Sequence, residues 1–162
     1  MRRSKDIGAG VVSAGVLAFR RRGGLEVLLA HPGGPFWAKK DDGAWTIPKG
    51  LVEPNDDLIA TARREFREET NLIVSGELIA LAPVKQKNGK IVHGFAVEAD
   101  FDLGQFASDE FEIEWPPKSG RRQRFPEIDR VAYFALPVAR VKLLAYQRPF
   151  LEDLARRLRD RT

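Results

Sequence analysis

The stretch from Asp57 to Thr70 sets its apolar residues at the period of an α-helix, then places glutamates where the apolar face should continue. At about 100° per residue, Leu58, Ile59, Ala62 and Phe66 fall within roughly one 100° arc, the face expected to pack on a core. Glu69 falls inside that arc, Glu65 at its edge, and Glu68 about 60° further round. Asn55 and Asp56 are N-cap candidates, and Asn71 suits a left-handed helix end. A carboxylate on a core face is costly to bury, and carboxylates at i, i+3 and i+4 repel one another. Two readings fit. The glutamates form a solvated face paired with Arg63, Arg64 and Arg67, or a cation sits among them. Ligands that are all oxygen suit magnesium or manganese.

The flanking segments indicate what the helix packs on. Ile7 to Phe19 is rich in small and β-branched residues and reads as a buried strand, with the turn Arg20 to Gly24 after it. Leu25 to Ala30 reads as its partner. A loop runs from Pro32 to Gly43, and Trp45 to Pro48 reads as a short strand. Leu78 to Lys87 and Lys90 to Ala99 read as two strands, with Asn88-Gly89 as a two-residue hairpin turn. Asp100 to Pro126 is polar and marked by prolines. Arg130 to Leu136 is a last strand, and Pro137 to Asp160 is helical in pattern, broken near Arg148-Pro149. Strands, helix, strands, helix is not the regular alternation of a parallel sheet. It predicts an α+β fold, a mixed sheet flanked by helices as an α/β/α sandwich. The expected organisation is one domain over residues 1–162, with residues 1–6 as a basic N-terminal arm.

Composition removes several chemistries. The chain has no cysteine and only two histidines, His31 and His93, so thiolate sites, disulfides and a three-histidine zinc site are excluded. Both histidines read as hydrogen-bonded structural residues. No apolar run approaches the ~20 residues of a membrane helix, and the basic start leads into no cleavage site. The expected compartment is the cytoplasm. Lys and Arg outnumber Asp and Glu by 27 to 23, a net charge of +4. This mild balance fits a phosphate-rich substrate and equally a plain soluble protein.

The longer segment Gly50 to Leu72 resembles the signature of the Nudix hydrolases. Gly50, Arg64, Glu65, Phe66, Glu68, Glu69 and Leu72 match it in type and spacing. Asp56 stands where the signature has glutamate, and Asn71 where it has glycine. The lead-in from Trp45 to Gly50 resembles the dinucleoside polyphosphate branch. The resemblance implies magnesium-dependent hydrolysis of a phosphoanhydride bond in a nucleoside diphosphate linked to another group. Glu65, Glu68 and Glu69 would hold the metal, helped by the backbone carbonyl of Lys49. Arg64 would orient the carboxylates, and Asp56 would make an orienting contact to the arginine. Glu127 resembles the further acid that serves as general base or extra ligand. Glu112 and Glu114 compete with it, and an ordinary loop acid is the plain alternative.

Recognition residues rest on less. Lys85, Lys87 and Lys90 border the Asn88-Gly89 turn and either cradle a polyphosphate or solvate a strand edge. Arg121 and Arg122 lie in a basic loop, Lys118 to Arg124. Trp37, Trp45 or Trp115 stacks on a base or packs a core. The expected partner is a small nucleotide polyphosphate, as a dinucleoside polyphosphate or nucleoside triphosphate, with no membrane and as monomer or homodimer. An RNA 5′ end is the alternative substrate, and a nucleotide-binding module without catalysis is a third reading.

Overall fold

The computed structural model describes residues 11–161. The basic arm expected at residues 1–6 and the start of the strand expected from Ile7 lie outside the described residues. β1 (Val12–Arg21) shows why its apolar run is nearly unbroken: both of its faces are covered. Ala14, Val16 and Ala18 join one buried cluster with Ala62 and Phe66. Leu17 and Phe19 join a second with Phe150, Leu151 and Leu154. β2 (Leu25–Pro32) divides the same way, Leu28 to the first cluster and Val27 and Leu29 to the second.

β1 is the hub. It pairs in parallel with β6 (Ile91–Glu98), and antiparallel with β2 and with β3 (Lys49–Leu51). β9 (Ile128–Ala135) pairs antiparallel with β2, while β4 (Ile79–Ala80) and β5 (Val84–Lys85) pair antiparallel with β6. The sheet order is β4-β6-β1-β2-β9. Helix α1 (Leu58–Thr70) packs on one face, and α2 (Leu136–Lys142) and α3 (Pro149–Asp160) belong to the other cluster. This is the α+β sandwich expected.

Several local expectations are corrected. The short strand is Lys49–Leu51, not Trp45 to Pro48, where Thr46 and Trp45 form only isolated bridges. The N-cap of α1 is Asp57, whose carboxylate accepts the Ala60 N–H at 2.8 Å, not Asn55 or Asp56. Asn71 does take the left-handed conformation, at φ 65°. Ile59 faces out at 39% exposure, and the buried face is Thr61, Ala62, Glu65, Phe66 and Thr70. The buried arc is thus rotated toward the glutamates. Lys85 opposes Ile91, and Gln86 donates its N–H to the Lys90 carbonyl at 2.8 Å. The turn therefore holds Lys87, Asn88 and Gly89, so Lys87 does not pair across from Lys90. The polar segment Asp100 to Pro126 hides an antiparallel arm, β7 (Glu110–Glu114) with β8 (Arg122–Pro126).

Candidate active site

The site forms where α1 crosses β3. β3 is short because its work is local: Lys49 opposes Gly15 and Gly50 opposes Ala14 on β1. Gly15 has no side chain because a Cβ there would stand 2.4 Å from the Pro48 carbonyl oxygen. Gly50 has none because Glu65 occupies its space; a Cβ would lie 1.9 Å from Glu65 Oε1. Glu65 is thereby seated against the β3 backbone, and its residue is 5% exposed. One turn on, Glu69 Oε1 accepts the Lys49 N–H at 3.3 Å.

Glu69 keeps part of its surface open but lies deep among protein atoms. Burial pushes its carboxyl up to about 8, against an ordinary 4.5. The Lys49 ammonium and N–H oppose that rise, whereas the charges of Glu65 and Glu127 add to it. Glu127 sits between β8 and β9, far from α1 in sequence, yet its charge is felt at Glu69. The backbone holds it there: its N–H donates to the Asp109 carbonyl at 2.7 Å, and its carbonyl accepts the Gly33 N–H at 2.9 Å.

Arg64 lies on the open side. Its guanidinium stands 3.8 Å from Asp56, 3.8 Å from Glu65 and 4.0 Å from Glu68. Shortening glutamate to Asp56 therefore leaves the ion pair to Arg64 in place. Arg63 is spent elsewhere, donating to the carbonyls of Val74 and Gly76. Glu68 turns to Arg64 while Glu69 turns to Lys49. Among the described residues no three acidic or histidine side chains stand as a ready-made metal cluster. The fit to a divalent cation rests on other observations. The donors are all oxygens, the glycine cradle seats Glu65, and the charge of Glu69 is disfavoured chiefly by burial and further by Glu65 and Glu127, a cost that a cation would relieve.

The remaining candidates divide. Trp45 lies in the core: it is 3% exposed, packed edge-on against His31 and Phe134, and its indole N–H donates to Asp41 at 2.8 Å. Lys85 and Lys87 are exposed around the β5–β6 turn, Lys85 opposite Ile91. Arg122 pairs with Glu112 at 3.5 Å across the β7–β8 arm, whereas Arg121 stays in the connection at its tip. Glu112 is thereby held on the arm, and Glu114 accepts the Gly120 N–H at 2.7 Å. His31 is fully buried, bound to Asp129 at 2.9 Å and to the Lys40 carbonyl at 2.6 Å, a structural residue as read. The Lys49 ammonium is a charge that the signature does not announce: it reaches Glu69 from β3 and opposes the rise of its carboxyl.

No curated protein sequence matches this chain. Solved structures similar to it include an Ap4A hydrolase binary complex of C. elegans, at 22% identity and TM-score 0.63 over 93% of this chain and 98% of that one. The NUDIX domain of Shewanella oneidensis NrtR, complexed with ADP ribose, shares 15% identity at TM-score 0.61 over 94% of this chain and 90% of that one. A MutT protein of Methanosarcina mazei Go1 shares 21% identity at TM-score 0.60 over 91% of this chain and 94% of that one. At these identities the likeness carries the fold. A family model described as NUDIX domain matches residues 10–154, nearly the whole chain, so the chain belongs to the Nudix hydrolase family and is a pyrophosphohydrolase.

Proposed function

We propose that the protein hydrolyses a phosphoanhydride bond in a dinucleoside polyphosphate or nucleoside triphosphate, using magnesium, with manganese able to replace it. The observation that carries this reading is the seating of Glu65 and Glu69 against the Lys49–Gly50 backbone, with the charge of Glu127 felt at Glu69. Glu65, Glu68, Glu69 and the Lys49 carbonyl would hold the metal, with Glu127 as a further ligand or as the base. When bound, the metal supplies neutralisation of the polyanion and acidification of the attacking water.

The chain's own residues do the rest. Gly50 and Lys49 fix Glu65 and Glu69 before substrate arrives, which removes a reorganisation cost from the reaction. Arg64 holds Asp56, Glu65 and Glu68 in register. The Lys49 ammonium tempers the negative field that would repel a polyphosphate. Glu127 takes the proton as the water oxygen bonds to phosphorus and the bridging P–O bond breaks, the departing phosphate carrying away the bond's electrons. An RNA 5′ end is the weaker reading. The basic segment that motivated it has Arg122 and Arg124 engaged with Glu112 and Glu110.

The decisive experiment measures phosphate and nucleotide release, with magnesium or with chelator. The panel holds diadenosine tetraphosphate, nucleoside triphosphates, nucleotide sugars and triphosphorylated RNA. Magnesium-dependent cleavage of the first two classes is expected, with Glu69→Gln reducing both turnover and magnesium binding. If that variant leaves both unchanged, the metal assignment is wrong.

A further inference from the structure

The β7–β8 arm is the largest feature that the reaction leaves unused. Its root is tied to the site. The Asp109 N–H donates to the Glu68 carbonyl at 3.2 Å, and the Ala107 N–H to the Thr70 carbonyl at 3.0 Å. At the other strand Pro126 leads directly into Glu127. The loop after β2 is wedged against the same arm. A Cβ at Gly33 would lie 2.0 Å from the Pro126 carbonyl oxygen, and one at Gly34, where φ is 96°, would lie 2.8 Å from the Phe111 ring.

That loop brings Phe36 to the tip. Phe36 and Trp115 meet with centroids 5.3 Å apart and planes 79° from parallel, an open corner of two aromatic rings. Phe36 is 59% exposed, more than the ordinary fate of a phenylalanine allows. The corner is held firm. The Trp115 N–H donates to the Arg121 carbonyl at 2.9 Å, Gln123 Nε2 to the Trp115 carbonyl at 2.8 Å, and the Gly120 N–H to Glu114 at 2.7 Å. Arg124 with Glu110, and Arg122 with Glu112, brace the strands. Lys118 and Arg121 lie in the connection from Trp115 to β8, Lys39 follows Phe36 by three residues, and these exposed cations have no carboxylate partner among the described residues. Two perpendicular aromatic rings with unspent cations close by in the chain suit a flat base attached to phosphate.

Distance selects which base. β7 rises about 3.4 Å per residue, which carries Trp115 roughly 17 Å from Glu110 and hence from the Glu127 end of the arm. We propose that the Phe36–Trp115 corner binds the distal nucleobase of a dinucleoside polyphosphate whose anhydride lies at Glu65, Glu69 and Glu127. The base stacks on one ring and presents its edge to the other, while Lys118, Arg121 and Lys39 receive the outlying phosphates. This assignment rests on the hydrolase reading and narrows its substrate to molecules with a nucleoside at each end.

The test compares Trp115→Ala and Phe36→Ser with the wild type on diadenosine tetraphosphate and on ATP. The expected result is about a tenfold fall in the ratio of kcat/KM for the dinucleotide to that for ATP, carried by KM. Phe36→Ser alters an exposed side chain and keeps the test valid if Trp115→Ala does not fold. An equal change for both substrates, or none, overturns the proposal. Binding is followed separately by tryptophan fluorescence, with magnesium and a methylene-bridged, non-hydrolysable diadenosine tetraphosphate. Quenching that disappears in Trp115→Phe supports the corner even if no hydrolysis is found. Quenching that persists in that variant overturns it even in an active enzyme.

Discussion

At Gly50 the absence of a single methyl group decides whether Glu65 can face the β3 backbone. A methyl would lie 1.9 Å from Oε1 and 2.1 Å from Cδ, so Glu65 must move rather than yield slightly. Gly50→Ala is therefore expected to lower magnesium affinity or turnover by about 10–100-fold. Calorimetric titration with magnesium beside steady-state kinetics checks it; a variant with unaltered affinity and turnover would show that the Glu65 position is immaterial. Glu69 makes a different prediction, about pH. Its carboxyl releases its proton near 8 in the folded chain and near 4.5 in the unfolded one. Between those values the folded state holds a proton that the unfolded state has lost, so rising pH favours unfolding. In chelator, this group's stabilising contribution is complete below about pH 4.5 and is lost as pH rises through about 8. Urea midpoints measured from about pH 5 to pH 8 should fall less in Glu69→Gln than in the wild type. Parallel curves for the two proteins would remove Glu69 as the cause.

Among the elements, α3 and the β4–β5 turn depend on one another through Asp153. Burial disfavours its charge, but the Ala82 N–H at 2.8 Å, Arg157 at 2.9 Å and Arg156 outweigh that cost and hold its carboxyl below the usual range. The stabilisation is present above the unfolded value and is lost as pH falls through the lowered folded one. Asp153→Asn should therefore destabilise the protein at neutral pH and flatten the acid limb of its stability curve. Denaturant melts across the acid range measure it, and an unflattened limb would count against the assignment. The legibility of each element follows from its packing. α1 was readable because a helix half buried on a sheet shows its period and its left-handed end at Asn71. Its buried face was misjudged by a rotation, since Ile59 looks apolar while the space that admits Glu65 is a property of Gly50, on another element. The β7–β8 arm was invisible because it does not lie in the main sheet. Its strands carry Glu110, Glu112, Arg122 and Arg124 as cross-strand pairs, which read in sequence as a polar loop. The segment Trp45 to Pro48 misled in the opposite way: its apolar residues fill the core and anchor β3 without forming a ladder themselves.

Across the whole molecule, the site depends on chain that lies nearly as far from it in sequence as the protein permits. Gln147, fully buried in the short 3-10 turn before α3, accepts the Ile47 N–H at 3.0 Å and donates to Thr46 Oγ1 at 2.9 Å. The Leu144 N–H reaches the Trp45 carbonyl at 2.8 Å, and the Trp45 N–H reaches the Lys142 carbonyl at 3.0 Å. The segment so gripped runs through Pro48, whose carbonyl accepts the Val16 N–H at 3.1 Å, into the Lys49 and Gly50 that seat both glutamates. This dependence could not be read from the signature, which ends at Leu72 and contains no partner for Ile47. Replacing Gln147 with leucine keeps the volume but leaves the Ile47 N–H buried without an acceptor, at a cost of about 1–3 kcal/mol. Asp153→Asn provides the control, because it loosens the same C-terminal region with no contact to the 45–50 segment. Both variants are expected to lose stability. Only Gln147→Leu should also lose turnover when both are assayed well below their unfolding midpoints, because only it frees the backbone that positions Glu65 and Glu69. Equal turnover in the two variants would mean that β1 alone holds Lys49 and Gly50 in place, and that the C-terminal half serves stability without reaching the site.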